Sequence, residues 1–182
     1  MEDDVRFPLP DIVRRRALSE GPAGQQWLSS LEEVLSGLEQ DWELAIGPAL
    51  PGGTAAFVAE ATDQAGEIFI IKLPTPGSDI GRQEAAILTA AGGKGYARLV
   101  RHDADRRAML LERLGPRLDQ LEMPLVDQLD ILCVTLLKAW MRAPADGPYV
   151  TGLDKANSLA MAMIRMNHEL GQPCSQPVLD TR

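Results

Sequence analysis

The stretch FIIKLPTPGSDIGRQEAAILTAA, residues 69–91, places one lysine at the end of an apolar strand pattern. Three bulky apolar residues precede Lys72, and a Pro/Gly breaker follows it. The breaker leads to a helix pattern over 80–91, which contains Glu84 and ends at Gly92 and Gly93. A single lysine that ends a buried strand usually extends its ammonium group to solvent. The role of Lys72 and Glu84 therefore depends on the elements around them.

The first half of the chain has the pattern of an antiparallel sheet with one helix inserted into it. Three strand patterns, WELAIGPAL, AAFVAEA and EIFIIKL, are separated by the turn-rich segments PGGT and TDQAG. Beyond the helix over 80–91, ARLVRHD and AMLLERL predict a second hairpin joined through 104–107. An amphipathic helix is predicted over 24–40, ahead of the strands. The predicted order is helix, three strands, helix, two strands.

The second half of the chain has only helix patterns. A short helical stretch is predicted to end at Met123, and Pro124 is predicted at the first position of a longer helix. The apolar stripe of that helix consists of Leu125, Leu129, Leu132, Leu136 and Trp140. A last helix is predicted over 154–170, with Met161, Met163 and Met166 interpreted as core residues. A helix start follows at Ser175, seven residues before the last residue, so we expect that the chain is cut short.

Composition limits the classes of partner. The 182 residues carry a net charge of -8, which argues against a nucleic-acid or anionic-membrane surface and is compatible with a cationic small molecule. The two cysteines are far apart and form no CxxC pair, so neither a disulfide framework nor a zinc site is predicted. No stretch of 18 consecutive apolar residues occurs, and the N-terminus has no apolar signal region. We expect a cytoplasmic protein without a membrane segment.

The predicted order of elements resembles that of the small, N-terminal lobe of kinases. There, a lysine on the third strand holds ATP phosphates, and a glutamate on the following helix orients that lysine. FIIK stands where kinases have VAIK, so Lys72 and Glu84 are predicted to form this ion pair. In this resemblance the turn LPGGTAAFV would be the phosphate-covering loop, with Gly52, Gly53 and Thr54 at the phosphates. The spaced GxGxxG motif is absent, and by itself the stretch is typical of an ordinary hairpin turn.

The same resemblance implies an adenine pocket beside the lysine. Val58 and Ile70 would cover the adenine ring, and Leu111 would lie at the back of the pocket. In this interpretation the fifth strand runs into the hinge between the lobes. Glu112 would offer its backbone carbonyl, and Leu114 its backbone N–H, to the adenine edge.

Longer strings resemble a specific family of kinase-like enzymes. The strings AAFVAEA, IIKLPTPG, ARLVRHDADRRAMLLERLGPRL, LCVTLLKAW and TGLDKANSLA are similar to the aminoglycoside (streptomycin 6-) and hydroxyurea phosphotransferase family. The resemblance implies transfer of the γ-phosphoryl group of ATP, with Mg²⁺, to a hydroxyl of an antibiotic such as streptomycin. It implies a protein-kinase-like α+β fold with a helical extension over 1–41, a five-stranded nucleotide-binding lobe over 42–114 and a partial helical lobe over 115–182.

The chain departs from the family pattern at the catalytic loop. Members have an HGDxHxxN motif and a later metal-binding aspartate, whereas neither His102 nor His168 precedes Gly-Asp. Asp103 lies ahead of the hinge, in the wrong lobe for a catalytic base. We therefore assign no catalytic or metal-binding residue and expect a truncated or prematurely terminated family member.

Two other interpretations stay open. One is a non-catalytic, nucleotide- or partner-binding pseudokinase fragment whose C-terminal helices are exposed and self-associate. The other is an α+β domain without a nucleotide site. Replacing Lys72 by alanine would abolish MgATP binding in either nucleotide-binding interpretation and change nothing in a pure interaction module.

Overall fold

The computed structural model describes residues 6–77, 80–142, 144 and 147–173, with the backbone alone for 80–82. Two helices precede the sheet: α1 spans Asp11–Ser19 and α2 spans Pro22–Trp42. The helix predicted over 24–40 is thus confirmed as α2. The sequence analysis missed α1, which buries only Val13 and Ala17 and has three consecutive arginines among its nine residues.

The five predicted strands form one antiparallel sheet. They are β1 Leu44–Ala49, β2 Ala56–Asp63, β3 Ile68–Pro74, β4 Leu99–Asp103 and β5 Ala108–Glu112. The spatial order is β1-β2-β3-β5-β4, and every neighbouring pair is antiparallel. The predicted fold class, α+β with five antiparallel strands and one inserted helix, is confirmed and is compatible with a kinase-like small lobe.

The two faces of the sheet pack against different helices. Successive side chains of a strand point to opposite faces. On one face, Phe57 and Ile71 are fully buried in a cluster that includes Leu35 of α2. On the other face, Met109 packs against α3, which spans Ile80–Ala91 as predicted, through Ala85 and Leu88. The alternation in β3 therefore assigns Ile71 to the face of α2 and its neighbours to the face of α3.

The region after the sheet is helical, with some corrections to its predicted details. The helical stretch predicted to end at Met123 is a single 3₁₀ turn, Leu118–Gln120. Helix α4 spans Leu125–Ala139, and Pro124 is its N-cap rather than its first residue, because its ψ of 144° is not helical. Helix α5 spans Gly152–Glu169. The helix start predicted at Ser175 lies outside the described residues.

Most apolar side chains of α4 and α5 are exposed. The stripe predicted for α4 is between 49% and 77% exposed along its whole length. The interpretation of Met161, Met163 and Met166 as core residues is wrong, because all three are more than half exposed. Helical periodicity identifies which side chains share a face, but it does not show what that face contacts.

The chain divides into two compact units, Met1–Gly147 and Pro148–Arg182. The first contains the sheet and helices α1 to α4, and the second contains α5. The lobe boundaries predicted at 41/42 and 114/115 stay predictions. Within the described ranges, none of the helices combines the length and the apolar character needed to cross a membrane.

Candidate functional site

Lys72 and Glu84 form an ion pair on the face of the sheet that carries α3. Lys72 lies in β3, paired with Val58 of β2 and Met109 of β5. Its Nζ is 2.6 Å from Oε1 and 2.7 Å from Oε2 of Glu84. Each side chain keeps about a quarter of its surface exposed, at 26% and 25%. The structure thus brings together the two residues that the sequence singled out, while their binding of a nucleotide stays a prediction.

The geometry of this pair suits the binding of an anion. A lysine ammonium has three N–H donors, and two contacts to one carboxylate leave capacity for a further acceptor. The carboxylate restricts the orientation of the flexible lysine side chain, which reduces the entropy lost when a ligand binds. The exposed quarter of the pair provides access from solvent. A phosphate oxygen is one of the charged acceptors that a lysine ammonium binds.

An apolar cleft of about 460 Å³ lies beside β3 and β5. Four of the residues predicted to contact adenine, or to lie behind it, line this cleft: Ile70, Leu111, Glu112 and Leu114. The remaining lining residues are Leu50, Glu60, Ala97, Arg113, Gly115, Pro116, Arg117 and Gln120. Val58 does not line the cleft but pairs with Lys72 in the sheet. The apolar walls and polar rim are typical of a small-molecule site.

The segment predicted as the hinge is held by hydrogen bonds at the edge of this cleft. The Glu112 N–H donates to the Arg98 carbonyl at 2.9 Å, and the Arg98 N–H donates to Oε1 of Glu112 at 2.7 Å. Arg113 donates from Nη1 to the Leu114 carbonyl at 3.0 Å. Arg113 also donates from Nε to Oε1 of Glu60 at 3.0 Å. These contacts fix the backbone whose carbonyl and N–H are predicted to bind the adenine edge.

Glu60 and Arg113 line the cleft, but no site role was predicted for them from the sequence. Glu60 lies two residues after Val58, so the period of two predicts that both share a face of β2. This signal was present in the sequence. The partner Arg113 follows the last residue of β5, where no strand periodicity defines its direction. The ion pair between them is exposed, at 40% and 47%, so it adds at most ~1 kcal/mol to stability.

The glycine turn between β1 and β2 contributes none of its residues Gly52, Gly53 and Thr54 to the lining of the cleft. Gly52 has a φ of 95°, a left-handed conformation that glycine adopts without strain. A Cβ on Gly53 would lie 3.2 Å from the Ala56 carbonyl oxygen, so a side chain there would crowd the turn. Thr54 lines a different depression, of about 420 Å³, together with Arg15 and Arg16 of α1. Binding of phosphate by Gly52, Gly53 and Thr54 stays a prediction.

Two charged groups at the rim of the cleft influence each other. Arg117 hydrogen-bonds to Asp119 through its guanidinium group. This hydrogen bond holds the pKa of Asp119 below its ordinary value and raises the pKa of Arg117. Both groups therefore stay charged at neutral pH, and the charge of Arg117, which lines the cleft, is balanced by Asp119.

The described residues provide no cluster for a metal ion. Among them, no group of three or more histidine, cysteine, aspartate or glutamate side chains has the arrangement that could hold one. His102 and His168 are both exposed, as expected for the two histidines outside an HGD motif. The candidate site consists of the ion pair and the cleft described above.

Similarity to known proteins is limited to part of the chain. The chain is 33% identical over 112 residues, 60% of its length, to a streptomycin 6-kinase of Streptomyces glaucescens. It is 33% identical over 119 residues, 63% of its length, to a streptomycin 6-kinase of Streptomyces griseus. The aligned regions cover 35% and 37% of these relatives, so the chain spans little more than a third of either. No protein-family model matches the chain.

Proposed function

Because the chain is related to the aminoglycoside phosphotransferases, we propose that it is the nucleotide-binding part of an ATP-dependent phosphotransferase. The acceptor would be a hydroxyl group of an aminoglycoside such as streptomycin, and phosphorylation would confer resistance to the antibiotic. Since the reaction uses ATP, we propose the cytoplasm as its compartment. The observation that supports this function best is the ion pair between Lys72 and Glu84.

The residues of the first compact unit fit ATP. In the proposed complex, Lys72 binds phosphate oxygens while Glu84 keeps its ammonium in place. Ile70 and Leu111 cover the adenine ring in the cleft of about 460 Å³, and the hinge backbone at Leu114 binds its edge. When bound, ATP supplies the γ-phosphoryl group for transfer to the acceptor.

The described residues do not fit Mg²⁺ in the same way. They include no cluster of three or more histidine, cysteine, aspartate or glutamate side chains that could hold a metal ion, so we assign no metal ligand. Phosphoryl transfer generally needs metal ions and positioned groups that neutralise charge on the transferring phosphate. We propose Mg²⁺ only as the ion that is complexed with ATP in solution.

Nucleotide binding by the purified chain tests the proposal directly. Isothermal titration calorimetry would measure the Kd for MgATP of the unchanged chain and of the Lys72→Ala variant. Charge-assisted hydrogen bonds contribute about 1.5–3 kcal/mol, so we expect affinity to fall roughly tenfold or more. The matched control is Lys94→Ala, which removes an exposed lysine just after α3. Equal affinities in all three proteins would contradict the proposed role of Lys72.

Transfer of labelled phosphate from ATP to streptomycin tests whether the chain alone is catalytic. Streptomycin is polycationic, and the net charge of -8 favours the approach of a cation. We expect labelled phosphate to appear on streptomycin only if a catalytic loop of the HGDxHxxN type is also present. The 182-residue sequence contains no HGDxHxxN motif, so binding without transfer is the expected result for this chain alone.

The exposed helices favour a second candidate function, a non-catalytic protein that binds a nucleotide or a partner. Large apolar side chains of α4, among them Leu125, Leu137 and Trp140, are each at least two-thirds exposed. Extended apolar surface of this kind marks interaction sites. Multi-angle light scattering over a tenfold range of concentration would detect self-association. A monomer at every concentration would remove the support that the exposed helices give to partner binding through self-association.

A further inference from the structure

Glu20, the residue that follows α1, joins this helix to the segment that leaves β3. Its Oε1 accepts a hydrogen bond from the hydroxyl of Thr75 at 2.8 Å, and its Oε2 accepts one from the Gly77 N–H at 2.7 Å. The same carboxylate contacts Nε of Arg16 at 3.1 Å. Its side chain is only 9% exposed. This nearly buried carboxylate thus links the end of α1 to two residues that lie 55 and 57 positions later in the chain.

The segment 75–77 is held from several directions. A Cβ on Gly77 would lie 2.6 Å from Cδ of Glu20, so the backbone approaches the carboxylate more closely than any other residue type permits. Arg107 donates from Nη1 to the Pro76 carbonyl at 2.9 Å. The Thr75 N–H donates to the Ala55 carbonyl, also at 2.9 Å. The path of the backbone after β3 is therefore defined by the end of α1, the β4–β5 turn and the start of β2.

This segment lies between the two members of the ion pair in the sequence. Lys72 is three residues before Thr75, and Glu84 is seven residues after Gly77, on α3. The sheet fixes Lys72, whereas Glu84 lies on α3, which packs against the sheet through Ala85 and Leu88 and follows the segment 75–77 in the chain. We infer that Glu20 is a positioning residue, which holds the segment 75–77 and thereby keeps Glu84 against Lys72. The inference rests on the proposed function, because the ion pair matters there as the phosphate-binding element.

The test compares ligands with and without phosphates. We would measure the Kd of MgATP and of adenosine by calorimetry for the unchanged chain, Glu20→Ala and Arg16→Ala. We expect Glu20→Ala to weaken MgATP binding roughly tenfold, the scale of one lost charge-assisted hydrogen bond, and to leave adenosine affinity within about twofold. Arg16→Ala keeps both contacts to the segment, so it should change neither affinity.

Two further variants show whether Glu20 acts through the ion pair. In a chain that already has Lys72→Ala, adding Glu20→Ala should cause no further loss of MgATP affinity. Gly77→Ala introduces a Cβ into the space of the Glu20 carboxylate, so it should reproduce the Glu20→Ala result. Equal weakening of MgATP and adenosine by Glu20→Ala would indicate a general effect on the fold and overturn the inference.

Hydrogen exchange separates failure of this inference from failure of the proposed function. Absence of MgATP binding by the unchanged chain would overturn the proposed function. Amide exchange at Thr75, at Gly77 and in α3 would then still report on Glu20, with exchange roughly tenfold faster in Glu20→Ala as the expected result. Unchanged exchange in these residues, with or without nucleotide binding, would overturn the positioning role.

Discussion

Neighbouring isoleucines of β3 have opposite surroundings, because side chains alternate along a strand. Ile71 is fully buried in the cluster beneath α2, whereas Ile70 is half-buried and lines the cleft. The next residue, Lys72, contacts Glu84 of α3. At the scale of single residues, Ile71 therefore contributes to the stability of the core, whereas Ile70 and Lys72 belong to the proposed binding site.

The two isoleucines predict different effects of the same substitution. Ile71→Ala creates a cavity in a packed core and should lower the free energy of unfolding by about 2–5 kcal/mol. Ile70→Ala removes a side chain from the wall of an open cleft, so its loss of stability should be smaller. Urea unfolding of both variants measures the difference. Equal losses would contradict the assignment of Ile70 to the cleft.

At the scale of elements, the end of α4 packs against Gly95. A Cβ on this residue would lie 2.6 Å from the Ala139 nitrogen and 2.8 Å from the Thr135 carbonyl oxygen. Gly95 also has a φ of 72°, which is a left-handed conformation. Both steric space and backbone conformation therefore require glycine at this contact.

Substitution of two glycines separates these causes. Gly92 has a φ of 55° but nothing within 4 Å of its added Cβ, so Gly92→Ala introduces only backbone strain, about 1–2 kcal/mol. Gly95→Ala should lower the free energy of unfolding further, by about 1–3 kcal/mol, because its Cβ also displaces α4. Urea unfolding would measure both. Equal losses would show that α4 does not pack on Gly95.

Helix α5 begins with a capping box that predicts a pH effect. Thr151 donates hydrogen bonds from its N–H and its hydroxyl to Oδ2 of Asp154, at 3.0 Å and 2.6 Å. The side-chain hydrogen bond is the main cause that holds the pKa of Asp154 below its ordinary value. A carboxyl with a lowered folded pKa stabilises the helix above its unfolded pKa, and this stabilisation is lost as the pH falls through the folded pKa.

An NMR titration of the Asp154 carboxyl would test this effect. In Thr151→Val the pKa of Asp154 should rise towards its ordinary value, because the hydroxyl donor is removed. Asp119 is the control, since Arg117 lowers its pKa independently of Thr151. A low pKa of Asp154 that persists in Thr151→Val would exclude the side-chain hydrogen bond as its main cause.

At the scale of the whole molecule, the proposed site lies within one compact unit. Lys72, Glu84 and the residues that line the cleft all belong to Met1–Gly147. Helix α5 belongs to the second unit, and most of its side chains are exposed. The residues that we propose to bind ATP therefore do not include any from the second unit.

A chain shortened to residues 1–147 should bind MgATP with the affinity of the full chain, within about twofold, because every proposed contact is retained. Calorimetry measures the affinity, and circular dichroism checks that the shortened chain is folded. Lys72→Ala in the shortened chain should cause the same fold-loss as in the full chain. A folded, shortened chain that has lost binding would mean that residues 148–182 contribute to the site.

The sequence by itself determined the order of the five strands and of helices α2 to α5, and the antiparallel sheet. These features follow from short-range patterns: strand alternation, helical periodicity and the glycine and proline residues that end each element. The pairing of Lys72 with Glu84, and four of the residues that line the cleft, were instead predicted from the resemblance to a kinase small lobe.

Only the tertiary structure decided what contacts each face. The methionines of α5 were predicted to be core residues, but the structure leaves them exposed. No role was predicted for Glu20, and its contacts with Thr75 and Gly77 join chain segments that are more than 50 residues apart. Such contacts depend on how the elements pack in space, and no local pattern in the sequence encodes that packing.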